Sequence, residues 1–283
     1  MTSHESRPPA LRRNAIAIVT GAIGFIAITI ATVAAVGSDT SPGSDLPTST
    51  PEDPSILHST SDSAPSPIAN PDTSHTQIAT TAVDILEVFA DSGETSPMLT
   101  LGPWTDYGAV RTLLVVPDDP ADDSGDWLQV ILPLWPNGQT GWIRASDVTI
   151  STTNLAVHID LSDRRLTLVD TTLEQDADPL INATIVVGSP ETPTPLGIFY
   201  LTDPLDLRAN PTGLYGSYSL GLSGFTGPLP TFGGAPPQIA IHGTNDPARL
   251  GEAISNGCIR VSNAVVIQLA ELLPLGAPVY IEQ

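Results

Sequence analysis

No charged residue occurs between Asn14 and Ser38, the run NAIAIVTGAIGFIAITIATVAAVGS, and this run limits where a folded domain can begin. Its twenty-five residues would rise roughly 37 Å as a helix, against a hydrocarbon core of about 30 Å. Residues 1–13 read as a short tail, and Arg12 and Arg13 at the edge of the run place that end in the cytoplasm. A cleaved leader is the competing reading. It would have a shorter apolar core followed by a small-residue site, which Ala35-Val36-Gly37 resembles. The length favours an uncleaved single-pass anchor over residues 14–38, with everything after it outside the cytoplasm.

Residues 39–76 cannot fold. From Ser38 to Thr76, 23 of 39 residues are Pro, Ser or Thr, with six acids and no base. Too little apolar surface is available there to offset the entropy of ordering the chain. The segment reads as a spacer.

Residues 77–150 carry short apolar runs separated by turn clusters: TAVDILEVFA, MLTLGPW, VRTLLVV, DWLQVILP and TGWIRASDVTI. Pro136-Asn137-Gly138 predicts a hairpin between two of them. Gly141-Trp142-Ile143-Arg144 followed by Val148 resembles the close of a bacterial SH3-type barrel, which implies a small SH3-like domain. The acidic loop from Asp118 to Asp126 lacks the alternation of a calcium loop and reads as solvated. Trp127, Trp135 and Trp142 read as core.

Residues 154–283 are mainly β as well. Leu155 to Asp170 gives two alternating runs around Ser162-Asp163-Arg164-Arg165, a hairpin in which His158 falls on the solvent face. INATIVVGS, GIFYLT, QIAIHGT and PVYIE have strand composition. The Gly- and Pro-rich stretch from Asn210 to Pro237 reads as a long functional loop. Asn263 to Leu273 reads as a helix with apolar residues at 265, 266, 269, 272 and 273.

Composition narrows the chemistry. All ten basic residues are Arg, so a P-loop lysine and a Schiff-base lysine are both absent. A formal net charge of -21 argues against nucleic acid as a partner. One Cys and five His without paired spacing offer no metal site, and no cofactor is implied. What remains is Cys258, the only thiol, in Ser255-Asn256-Gly257-Cys258-Ile259-Arg260. A turn before the Cys and a helix soon after it expose the thiol to backbone donors. A thiolate nucleophile needs a base, and His242 ends a strand before Gly243, 16 residues upstream. A buried, inert Cys is the alternative reading.

The pattern Ile241-His242-Gly243-Thr244, ten residues, then Ser255-Asn256-Gly257-Cys258-Ile259-Arg260 resembles the signature of L,D-transpeptidases, and Thr194-Pro195-Leu196-Gly197-Ile198-Phe199 is similar to that family's Thr-Pro-x-Gly strand entry. The resemblance covers about residues 154–283. It implies a β-rich catalytic domain with one or two short helices, acting on peptidoglycan stem peptides as acyl donor and acceptor. Cys258 would form a thioester and an incoming amine would make a 3→3 cross-link. His242 is the implied base, with its second nitrogen on a backbone carbonyl such as that of Gly243. Gly257 and Cys258 supply candidate oxyanion N–H groups, and Gly243, Asn256 and Arg260 complete the substrate-side set. Arg260 suits either a stem carboxylate or a structural ion pair. Asn256 stands where the family usually has His. Rival readings are a carboxypeptidase or other cysteine hydrolase using water, and a non-catalytic wall-binding module.

Overall fold

Seven short strands open the structured part of the chain, with Ala79, Leu86, Val88, Leu113, Leu114 and Val130 directed into one apolar cluster. The structure, a computed structural model, describes residues 75–116, 125–174, 176–227 and 237–283. The expected membrane segment, the spacer apart from its last two residues, and most of the acidic loop lie outside these residues. Among the described residues no helix is long and apolar enough to cross a membrane.

The first strands are β1 (Thr76–Thr81), β2 (Leu86–Val88), β3 (Leu99–Leu101), β4 (Thr112–Leu114), β5 (Trp127–Ile131), β6 (Thr140–Arg144) and β7 (Val148–Thr153). β1 lies between β4 and β7, antiparallel to both. Hairpins β2–β3 and β5–β6 join this sheet through the bridges Phe89↔Trp142 and Val115↔Val130. The result is a curled run in the order β7-β1-β4-β5-β6-β2-β3. The Asn-Gly turn falls between β5 and β6, with Gly138 at φ +83°, a conformation that costs glycine little. Of the three tryptophans read as core, Trp127 and Trp142 are half-buried. Trp135 is exposed, because it belongs to the loop between β5 and β6 rather than to a strand.

The remaining strands are β8 (Leu155–Asp160), β9 (Arg165–Asp170), β10 (Ile181–Thr184), β11 (Val187–Gly188), β12 (Gly197–Asp206), β13 (Tyr218–Phe225), β14 (Gln238–His242), β15 (Ala253–Ser255), β16 (Ile259–Arg260) and β17 (Pro278–Glu282). Eight of them form one sheet in the order β10-β9-β8-β17-β12-β13-β14-β16. The β8–β9 hairpin closes as its sequence predicts. Asp160 pairs with Arg165, and the Asp163 N–H donates to Asp160 Oδ1 at 2.8 Å. The chain is therefore mainly β, with α1 (Asn263–Leu272) and two 3₁₀ turns as its helices among the described residues.

Three sequence readings change here. The stretch from Asn210 to Pro237 is not one loop, because β13 runs through it and pairs with β12 and β14. Glycine breaks its apolar period where close packing demands it. A Cβ on Gly224 would meet Phe199 at 2.3 Å. His158 lies on the face opposite the buried Val157 and Ile159 but is only half exposed there, since Tyr280 of the neighbouring β17 stacks on its ring at 5.0 Å. In α1 only Val266 and Leu269 are fully buried, and Leu272 points outward. Ser262 caps this helix by accepting from the Val265 N–H at 3.3 Å.

The two apolar clusters meet through β12. Tyr200 packs in the cluster of the N-terminal strands with Ile198 against it, while Phe199 and Leu201 enter the cluster of the large sheet. Alternation along one strand thus feeds two cores. The described residues all fall within one compact unit, Pro65–Gln283.

Candidate active site

β14 and β16 are adjacent and parallel, and their register sets His242 beside Arg260. Cys258 lies in the turn that leads from β15 into β16. This pairing brings the two ends of a 16-residue separation together. His242 and Cys258 line the same pocket of about 630 Å³, together with Asn256, Arg260, Tyr215 and Ser255.

His242 is almost fully buried and held from two sides. Its Nδ1 lies 2.6 Å from the Gly243 carbonyl. A carbonyl only accepts, so Nδ1 carries the proton and Nε2 is the basic nitrogen. Tyr215 packs edge-on against the ring, with centroids 4.8 Å apart. Burial lowers the imidazole pKa to about 4, the Gly243 carbonyl counters this, and Arg260 lowers it further. The resting base is therefore neutral near pH 7. Burial also pushes the Cys258 thiol up, while a backbone hydrogen bond from Ala240 and the positive charge of Arg260 draw it down. Thiol and imidazole thus both rest uncharged, which suits proton transfer during attack rather than a standing thiolate.

The turn is fixed by one hydroxyl. Ser255 Oγ donates to the Cys258 carbonyl at 2.5 Å and accepts from the Gly257 N–H at 3.2 Å. This removes Gly257 from the oxyanion donors, because its N–H is already used. Gly257 instead serves the turn: its φ is +104°, and a Cβ there would meet Thr226 at 2.2 Å. The Cys258 N–H, without a hydrogen-bond partner among the described residues, is the donor left. Gly243 is likewise no oxyanion donor, since its N–H donates to the Tyr218 carbonyl at 3.0 Å. Its contribution is the carbonyl that orients His242.

Asn256 is exposed and borders the pocket. Arg260 makes no ion pair among the described residues, and its buried Nε has no partner there. The structural ion-pair reading thus loses its support. Among the described residues no group of three or more His, Cys, Asp or Glu could hold a metal ion.

Two contributors were not visible in the sequence. Ala240 carries no side-chain chemistry, and its backbone role depends on strand placement. Asn263, read only as a helix start, accepts from the Ser217 N–H at 3.0 Å and the Thr244 N–H at 3.2 Å. It thereby ties the residues after His242 to the segment carrying Tyr215. The junction is tight enough to require glycine: a Cβ on Gly216, at φ +64°, would meet the Thr244 nitrogen at 2.5 Å.

Residues 154–281 match the family model described as YkuD, L,D-transpeptidase catalytic domain. The YkuD protein of Bacillus subtilis (strain 168) is 40% identical over 99 residues, covering 35% of this chain and 51% of the relative. The YkuD protein of Bacillus licheniformis is 38% identical over 97 residues, covering 34% and 50%. The chain spans about half the length of the curated relatives it matches. The crystal structure of L,D-transpeptidase 3 from Mycobacterium tuberculosis aligns over 62% of this chain and 92% of its own, at 14% identity and a TM-score of 0.37. That likeness is too loose to bear on the site.

Proposed function

We propose that this chain is a peptidoglycan L,D-transpeptidase that forms 3→3 cross-links through a thioester on Cys258. The observation that carries the proposal is the shared pocket of Cys258 and a neutral His242 whose Nδ1 is committed to the Gly243 carbonyl. Cys258 Sγ attacks the carbonyl of the third stem residue as its proton passes to His242 Nε2. The negative oxygen that develops faces the Cys258 N–H. His242 then hands the proton to the leaving amine of D-alanine, and the acyl–sulfur bond remains. An incoming amine attacks the thioester, loses its proton to His242, and the thiol is restored. Arg260, with no carboxylate partner among the described residues, is suited to a stem carboxylate, and Asn256 at the rim to a neutral polar group of the donor.

The test is to incubate the full chain in detergent with a disaccharide-tetrapeptide and read product masses. A dimer lighter than two donors by one D-alanine is expected. A tripeptide without any dimer would instead make the enzyme a carboxypeptidase.

The same reading treats the curled run of β1–β7 as SH3-like, supported by the order of its strands and bridges. A crystal structure with the β2–β3 hairpin swung away from β6 would remove that kinship. It also divides the chain at Asn154, between β7 and β8, makes 14–38 a single membrane span and the residues from 39 to the start of β1 its spacer, and puts the catalytic domain on the wall side. The uncharged run and its Arg12-Arg13 flank support this. A reporter fused after Gln283 is expected to be active only outside the cytoplasm, and cytoplasmic activity would reverse the topology.

A further inference from the structure

The pocket that holds the dyad is not built by the large sheet alone. Tyr107, from the loop between β3 and β4 of the N-terminal strands, is one of its lining residues. That loop is a braced feature rather than a loose strap. Trp104 and Val110 bridge across it, the Thr105 N–H donates to the Ala109 carbonyl at 2.9 Å, and the Gly108 N–H donates to the Thr105 carbonyl at 3.1 Å. Arg111 fastens its base through donation to the carbonyls of Gly102 and Trp104, at 2.6 and 2.7 Å. The hydroxyl of Thr105 then donates across to Asp203 on β12.

Asp203 is an unusual residue to find there. It is 2% exposed, it lines the same pocket, and it follows an irregularity in the β12–β13 register between Leu201 and Asp203. Such irregularities re-aim side chains. Thr105 uses one of its carboxylate oxygens, and no Arg pairs with it among the described residues. A buried carboxylate without a cationic partner is costly unless a ligand supplies the charge. The phenol of Tyr107 stands close to it: burial, Asp203, Asp106 and the Cys258 thiol all raise the Tyr107 pKa. Tyr107 and Asp203 thus share one wall of the pocket, joined through Thr105 two residues from the phenol.

The sheet separates the pocket's charges. Asp203 is on β12 and Arg260 on β16, with β13 and β14 between them. At about 4.8 Å per strand this is roughly 14 Å. His242 belongs to an intervening strand. The cation thus lies beside the dyad on one side and the buried carboxylate on the other.

We infer that the Thr105–Tyr107 loop and Asp203 form a composite subsite that receives the cationic amine of the acyl acceptor, so that the N-terminal strands select substrate as part of the reaction pocket. The inference rests on the acyl-transfer reading above, in which a donor bearing carboxylates meets an acceptor bearing an ammonium. The donor's charge matches Arg260 and the acceptor's matches Asp203. Binding is as the ammonium, which loses one proton to solvent before its lone pair attacks the thioester.

The test uses the full chain in detergent, a tetrapeptide donor, and two nucleophiles in turn: a cationic D-amino acid amide, and hydroxylamine, which is uncharged at neutral pH. The readout is the ratio of aminolysis to hydrolysis of the same thioester, with D-alanine release followed separately. In Asp203→Asn the ratio for the cationic amine is expected to fall about ten-fold or more, through a higher acceptor KM, because a hydrogen-bonded charge pair is lost. The ratio for hydroxylamine should stay within about two-fold of wild type. Tyr107→Leu and Thr105→Val should lower the cationic ratio in the same direction, and Tyr107 is 46% exposed, so its replacement tests the wall with little burden on folding. Equal losses with both nucleophiles, or an unchanged cationic ratio in all three variants, would overturn the subsite. Failure of the wild type to release D-alanine would instead overturn the acyl-transfer reading, and the subsite with it.

Discussion

Cys258→Ala is expected to form no covalent adduct with a carbapenem, whereas the wild type gains the mass of one drug molecule. Cys258 is the only thiol in the chain, so no second sulfur can take its place. A strained lactam carbonyl reports on the nucleophile without needing the correct stem peptide. Turnover of the tetrapeptide should fall on the order of 10⁴- to 10⁶-fold, as when a covalent nucleophile is deleted from a catalytic unit that acts together. Cys258→Ser should also remain unlabelled, since a hydroxyl beside a base of pKa about 4 is a far weaker nucleophile. The turn should survive both substitutions, because Ser255 holds it through the backbone of residues 257 and 258. Labelling of the alanine variant would show that another group carries the chemistry.

His242→Ala is the second large effect. Near neutral pH its adduct should form about 10²- to 10⁴-fold more slowly, the usual contribution of a positioned general base. The wild-type rate should be limited by imidazole protonation only near pH 4, because burial keeps His242 neutral above that. The variant should lose this acid limb and gain rate as pH rises, when solvent hydroxide supplies thiolate without a base. His242 also links pH to stability. The unfolded imidazole takes a proton near 6.5 but the folded one only near 4, so the unfolded state binds the extra proton in between. The stabilising difference is complete above about pH 6.5 and declines by about 3 kcal/mol as pH falls to 4. His242→Ala should flatten that part of the acid-unfolding profile. His158→Ala is the control: Tyr280 covers that ring and it is not among the residues lining the pocket. Normal labelling in His242→Ala with loss in His158→Ala would reverse the assignment.

The sequence alone determined the features that depend on local chemistry. Alternation and turn residues marked the β8–β9 and β5–β6 hairpins, because a period of two and an Asn-Gly or Ser-Asp pair act within a few residues. The 16-residue step from His242 to Cys258 was readable because side-chain identity names a nucleophile and a base. The Gly243 carbonyl as orienting partner was also legible, being the next residue in the chain. Tertiary structure decided what depends on residues distant in sequence. β13 was hidden because Gly221 and Gly224 stand where neighbouring side chains approach the backbone closely, which erases the apolar period. Gly257 was read as an oxyanion donor, yet Ser255 already takes its N–H. No pattern within one segment reveals that competition. Ala240 and Asn263 act through placement rather than through type. Thr105 reaches Asp203 across 98 residues, a contact that exists only because β12 packs its alternate faces into two cores.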